Sequence, residues 1–165
     1  MPIYKSLTLL LIIGLTTVGN ATADVINASQ KQDAMADIKI ATITKMYQQD
    51  IDDQGMSNPA VLQQYANADL QAAMQLAQDY FDKNQMSCNL DYDVLWDSQD
   101  PDYTQDKNFS MTEQGLVQVS LAQGSDIYYD LSCGSDDERS DCQIANVILD
   151  QDGRTLRKHL LDTCR

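Results

Sequence analysis

GLVQVSLAQGSDIYYDLSCGSDDERSDCQIANVILD, residues 115–150, is the stretch whose reading decides the fold. Val117, Val119 and Leu121 alternate with Gln118 and Ser120, and Ile127, Tyr129 and Leu131 alternate with Asp126, Tyr128 and Asp130. A period of two sends successive side chains to opposite faces, so both runs predict half-buried antiparallel strands. The intervening Gln-Gly-Ser predicts a turn, and CQIANVILD predicts a further strand beyond a polar loop. Upstream the period changes to that of a helix. Met35, Ile38, Ile43, Met46, Tyr47 and Ile51 recur mostly at three- and four-residue steps, predicting an amphipathic helix over about 31–51. Asp50, Asp52, Asp53 and Gly55 then stop it. Ser57, Asn58 and Pro59 predict a second start, with Pro59 in the first turn of a short helix carrying Val61, Leu62 and Tyr65. The clearest helix is predicted over 69–82, where Leu70, Ala73, Met74, Ala77, Tyr80 and Phe81 share one face and Asp69 is placed to cap it. NLDYDVLWDSQDPDYTQD, residues 89–106, keeps no period and reads as a short strand or turn followed by a loop. After a turn at Asp152-Gly153, RTLRKHLLDTC predicts a short terminal helix held by Cys164. Helices first and antiparallel strands after them make an α+β fold, with the N-terminal helices on one sheet face and a short C-terminal helix.

The chain has 165 residues, 11 Lys plus Arg against 25 Asp plus Glu, and a formal net charge of -14. All the acidic residues are Asp except Glu113 and Glu138. Asp bonds nearby backbone N–H groups and so favours turns and helix starts, which predicts that much of this charge is exposed. Nucleic acid is excluded as a partner on this charge, because neutralising phosphates needs a basic footprint. MPIYKSLTLLLIIGLTTVGNATA, residues 1–23, has Lys5, an apolar run of about 12 residues and small residues at Ala21 and Ala23. That is the layout of a cleaved secretory signal peptide, and the run is short of the roughly 20 residues a membrane span needs. The expected mature chain is a single domain, residues 24–165, in the periplasm or outside the cell, with no later membrane span.

Four cysteines in a chain bound for an oxidising compartment predict disulfides. Three pairings are open. Cys133 and Cys142 flank the polar loop, so a bridge closing it is favoured, which leaves Cys88 with Cys164. Zinc is disfavoured because there is no C-x-x-C pair and His159 is the single imidazole. Asp91, Asp93, Asp97, Asp100 and Asp102 invite a calcium site, but Leu95 stands where an EF-hand loop needs an oxygen ligand. No metal and no cofactor is expected. Nucleophilic hydrolysis lacks a motif as well as a base, since His159 sits among Arg154, Arg157 and Lys158 with the simplest role of a surface position. Asp93, next to Tyr92 and three residues before Trp96, is the one catalytic candidate, as a general base in an apolar cavity. The competing reading makes it a turn residue that accepts backbone N–H groups.

Asp91, Asp93, Gln99 and Asp100, followed by Val147 and then Asp152, Gly153, Leu156 and Arg157, carry a resemblance. The pattern resembles a family of bacterial secreted proteins of unknown function with the nuclear transport factor 2-like cone, and it covers most of the chain after the leader. The chain departs from it in having Val94 where proline is frequent, and Cys142 where an aromatic residue often precedes the final strand. The resemblance implies a curved, cone-like sheet folded round the helices, with a cavity at its open end that serves enzymes, ligand binding or dimerisation in related folds. The Asp, Tyr and protonated Asp of ketosteroid isomerase find no counterpart here. Two functional readings follow. In the first the protein is a non-catalytic, disulfide-bonded binding protein whose acidic surface engages or inhibits a protein partner with a basic surface. In the second it is a cavity enzyme or carrier of a small apolar ligand, built on Tyr80, Tyr92, Asp93, Trp96 and Tyr128.

Overall fold

The computed structural model describes residues 21–134, 141–150 and 152–165, the first nine by backbone alone. The apolar run of the predicted leader and most of the loop between Cys133 and Cys142 lie outside the described residues. Helix α1 spans Ala21–Asp53, α2 Val61–Tyr65 and α3 Ala68–Asn84, followed by strands β1 Lys107–Met111, β2 Val117–Leu121, β3 Asp126–Cys133 and β4 Cys142–Ile148, and helix α4 Leu156–Thr163. The strands form one antiparallel sheet in the order β1-β2-β3-β4. It is an open meander and not a closed barrel, and with the helices around it the fold class is α+β. No helix among the described residues is long and apolar enough to cross a membrane.

The alternation read from β2 and β3 is the alternation observed: Val117, Val119, Leu121, Ile127, Tyr129 and Leu131 are all buried. β4 starts in the same way with Cys142 and Ile144 inward, but then Val147 is the next buried position. The pairing explains it. Asp130 faces Asn146 and Leu131 faces Ile144, so Ala145 is an extra residue, and this bulge moves the inward set by one position. α1 crosses the buried sheet face against β1, β2 and β4, while α3 packs against both α4 and β4. Asn67 N–H donates to the Ile144 carbonyl at 2.8 Å, which ties the start of α3 to the sheet.

Several local expectations need correction. β1 lies just beyond the stretch read as loop and matches no element expected from the sequence: only Phe109 and Met111 carry its pattern, and Lys107, Asn108 and Ser110 have little strand preference of their own. It is a strand because β2 offers it a full ladder and because Phe109 meets the Tyr47 ring edge-on, with centroids 5.6 Å apart. Pro59 precedes α2, whose N-cap is Ala60, and so is not in its first turn. The cap of α3 is Asn67, which accepts the Leu70 N–H at 3.0 Å. Asp69 lies inside the helix and pairs with Arg157 at 3.0 Å. α1 stops through Gln54 and Gly55, both left-handed, with the Gly55 N–H donating to the Asp50 carbonyl. Gly55 has a second reason to be glycine, because a Cβ there would run into the Tyr103 hydroxyl.

The core carries polar atoms at its centre. The Tyr47 hydroxyl donates to the Leu95 carbonyl at 2.5 Å and lies 2.9 Å from the Tyr129 hydroxyl. Both rings are fully buried. Phenols in this position hold their protons more tightly than in water, chiefly because burial disfavours the phenolate. Trp96 stands edge-on to Tyr47 and to Tyr103, at 5.3 Å in each case, and closes the aromatic group.

Candidate functional site

A cleft of about 610 Å³ opens on the helical side of the molecule. Its apolar walls come from α2 with Val61 and Leu62, from α3 with Met74 and Phe81, and from α4 with Leu156 and Leu160. Polar surface comes from Gln63, Gln75 and Gln78 on the same helices, and the other walls are the segments from Gly55 to Ala60 and from Ser87 to Leu95, with Asp50, from the last turns of α1. Phe81 is 47 % exposed, so the apolar face of α3 runs out toward solvent there.

The chain after α3 is shaped by its own Asp residues. Asp93 N–H donates to the Ser98 carbonyl at 2.8 Å, Ser98 N–H returns to the Asp93 carbonyl, and Asp97 takes a left-handed conformation. Asp93 Oδ1 accepts the Leu95 N–H at 2.8 Å. This tight turn sends Leu95 and Trp96 into the core and leaves Tyr92, Asp93 and Val94 along the cleft. Two disulfides anchor the surroundings. Cys88 is bonded to Cys164 and Cys133 to Cys142. The first ties the start of the cleft segment to the end of α4, and the Thr163 hydroxyl reinforces it by donating to the Cys88 carbonyl at 3.0 Å. Such bridges fit an oxidising compartment.

Asp50 is the least expected member of the site. Only 5 % of it is exposed, and its Oδ2 accepts the Trp96 indole N–H at 2.6 Å. Burial raises its proton affinity above the ordinary carboxylate range, the indole N–H opposes that, and Asp53 adds to it. Asp93 is raised too, first by burial and then, against its backbone N–H donors, by the charge on Asp50. No Lys, Arg or His is among the residues that line the cleft. The described ion pairs Arg154–Asp150, Arg157–Asp69 and Lys158–Asp162 lie elsewhere.

The five residues proposed from the sequence do not form one site. Tyr92 and Asp93 line the cleft, while Trp96 lies behind it, 2 % exposed, and acts on it through Asp50. Tyr80 is half-buried on α3 but is not among the lining residues. Tyr128 alternates with the buried Ile127 and Tyr129 and so faces the other side of the sheet. His159 is half-buried, with Nε2 out of reach of solvent, and is not the plain surface position expected of it. Among the described residues there is no group of three or more His, Cys, Asp or Glu placed to hold a metal ion. Asp50 gave no sequence signal beyond stopping α1.

The raised proton affinity of Asp50 makes a prediction about stability. The folded state keeps this proton to a higher pH than the unfolded chain, whose Asp titrates near 3.9. Between those two values the folded state binds more protons, so stability falls as pH rises through the window. Asp50→Asn keeps an acceptor for the indole N–H but carries no charge. Urea unfolding should show Asp50→Asn more stable than the native chain at pH 7, with the difference closing toward pH 3. A native chain whose stability rose monotonically from pH 4 to pH 7 just as the variant's did would refute the buried-carboxylate account.

Compared with known protein families, curated proteins and solved structures, the chain matches none.

Proposed function

We propose that this is a secreted or periplasmic binding protein, freed of its leader by cleavage after Ala23, that works without catalysis by engaging a protein partner with a basic surface. The observation that carries the reading is the cleft, in which Asp50 and Asp93 face an open volume lined by no basic side chain. The whole chain's net charge of -14 would steer a basic partner toward the protein. Kinship with the cone-fold family suggested by Asp91, Asp93, Gln99 and Asp100 belongs to the same proposal.

The test is a capture of envelope and secreted proteins on the immobilised, oxidised protein, washed at low and at high salt and read by mass spectrometry. One stoichiometric partner is expected, with an association rate that falls steeply as ionic strength rises. An association rate independent of salt would defeat the charge-based reading. The second reading, a cavity enzyme or ligand carrier, is favoured by one observation: two carboxyl groups with raised proton affinity share one cleft, as a general acid or base requires. It expects an apolar molecule carried through native purification, and turnover that Asp93→Asn abolishes.

A further inference from the structure

We propose that the cleft is a receptor for one basic side chain of the protein partner, an ammonium or guanidinium on an aliphatic stem, with Asp50 and Asp93 as its counter-charges. The proposal rests on the binding reading above and deepens it. A carboxylate removed from water is costly unless a cation or several donors compensate it. Asp50 is nearly enclosed and has one indole N–H at 2.6 Å, while Asp93 has the Leu95 N–H at 2.8 Å and the Trp96 backbone N–H beside it. Each is held by neutral donors alone, and neither has a cation among the residues that share the cleft. The compensating positive charge is therefore to be brought from outside.

The walls say what kind of cation. A hard metal such as calcium takes six to eight oxygen ligands, and two carboxylates already committed to N–H donors fall far short of that. Val61, Leu62, Met74, Phe81, Leu156 and Leu160 present apolar surface beside the two carboxylates. That combination suits a side chain with a methylene stem and a charged head, which buries the stem along apolar surface and keeps its charge at a polar contact. A volume of about 610 Å³ has room for such a side chain together with the adjoining backbone of its owner.

The first probe is n-butylammonium chloride, titrated into the ¹⁵N-labelled, oxidised protein and followed by amide chemical shifts, with 1-butanol, sodium butyrate and calcium chloride as comparisons. Butylammonium should shift the amides of Leu62, Asp93, Val94 and Leu160 in a saturable way, and the other three should not. Asp50→Asn with Asp93→Asn keeps both N–H acceptors, so the fold should persist in the same spectra, while affinity falls by about tenfold or more. Equal shifts with butanol, no cleft shifts with butylammonium, or equal affinity in the double variant would each overturn the proposal. The second measurement separates it from the broader reading. A salt-sensitive partner that binds the double variant as well as the native protein would leave the binding reading standing and overturn the receptor. Butylammonium binding without any such partner would overturn the assignment of the cation to a protein side chain.

Discussion

Serine in place of both Cys88 and Cys164 will lower the unfolding free energy by about 4.5 kcal/mol through the lost crosslink, with a further loss because Cys164 is a buried core residue. The bridge joins residues 76 apart in sequence, and the entropy that a crosslink removes from the unfolded chain grows with the logarithm of that span. The same argument gives about 2.5 kcal/mol for Cys133–Cys142, whose partners are 9 apart. A domain of this size has roughly 5–15 kcal/mol in total, so the variant should unfold at a much lower urea concentration and at a markedly lower temperature. The bridge also fixes the cleft, because Cys88 begins the segment that carries Tyr92 and Asp93, and Cys164 ends the helix that carries Leu156 and Leu160. Amide shifts should therefore move along 88–95 and α4 even where the variant is fully folded. Equal losses from the two bridges would show that loop length does not govern their effect. Unchanged shifts along the cleft would show that its walls stand without the tether.

Trp96→Ala should cost about 5 kcal/mol or more and leave the protein barely folded. Trp96 is 2 % exposed, meets Tyr47 and Tyr103 edge-on, and has the Lys107 ammonium 5.3 Å from its ring centroid. Removing it opens a large cavity and also strips Asp50 of the indole donor. Trp96→Phe separates the two effects, since it restores most of the volume but no N–H. Its loss should be smaller and should depend on pH in a defined direction. The indole holds the Asp50 proton affinity down, so without it the carboxyl takes up its proton at a higher pH. The window in which stability falls with rising pH then extends upward, and the penalty of Trp96→Phe should be greater at pH 7 than at pH 4. Urea unfolding at the two values measures it. A penalty of the same size at both would mean that the hydrogen bond to Asp50 is replaced by water.

The strands β2 and β3 were legible because each buries one face against helices and leaves the other wet, which writes a period of two into Val117–Leu121 and Ile127–Leu131. The bridges were legible because Cys133 and Cys142 end two neighbouring strands of one hairpin, so pairing them constrains the remaining two. Asp93 was legible as a turn residue, and its acceptance of the Leu95 N–H is that local chemistry. β1 was not, because its ladder partner lies in β2 and its inward ring is set by Tyr47 on a distant helix. Tyr80 and Tyr128 lie outside the cleft, Tyr80 on a part of α3 that does not line it and Tyr128 on the sheet face opposite Ile127 and Tyr129.

Composition and period, which are local properties, determined the α+β class and most of its elements, and they favoured one disulfide pairing out of three, which the structure fixed. The site was decided elsewhere. Asp50 in QQDIDDQG looks like one more acidic residue at a helix end, and only the crossing of α1 over the sheet brings it to Trp96, 46 positions away. Burial is a property of how elements stack and not of any window of sequence, and it is burial that turns an ordinary aspartate into a carboxyl with raised proton affinity facing a cleft.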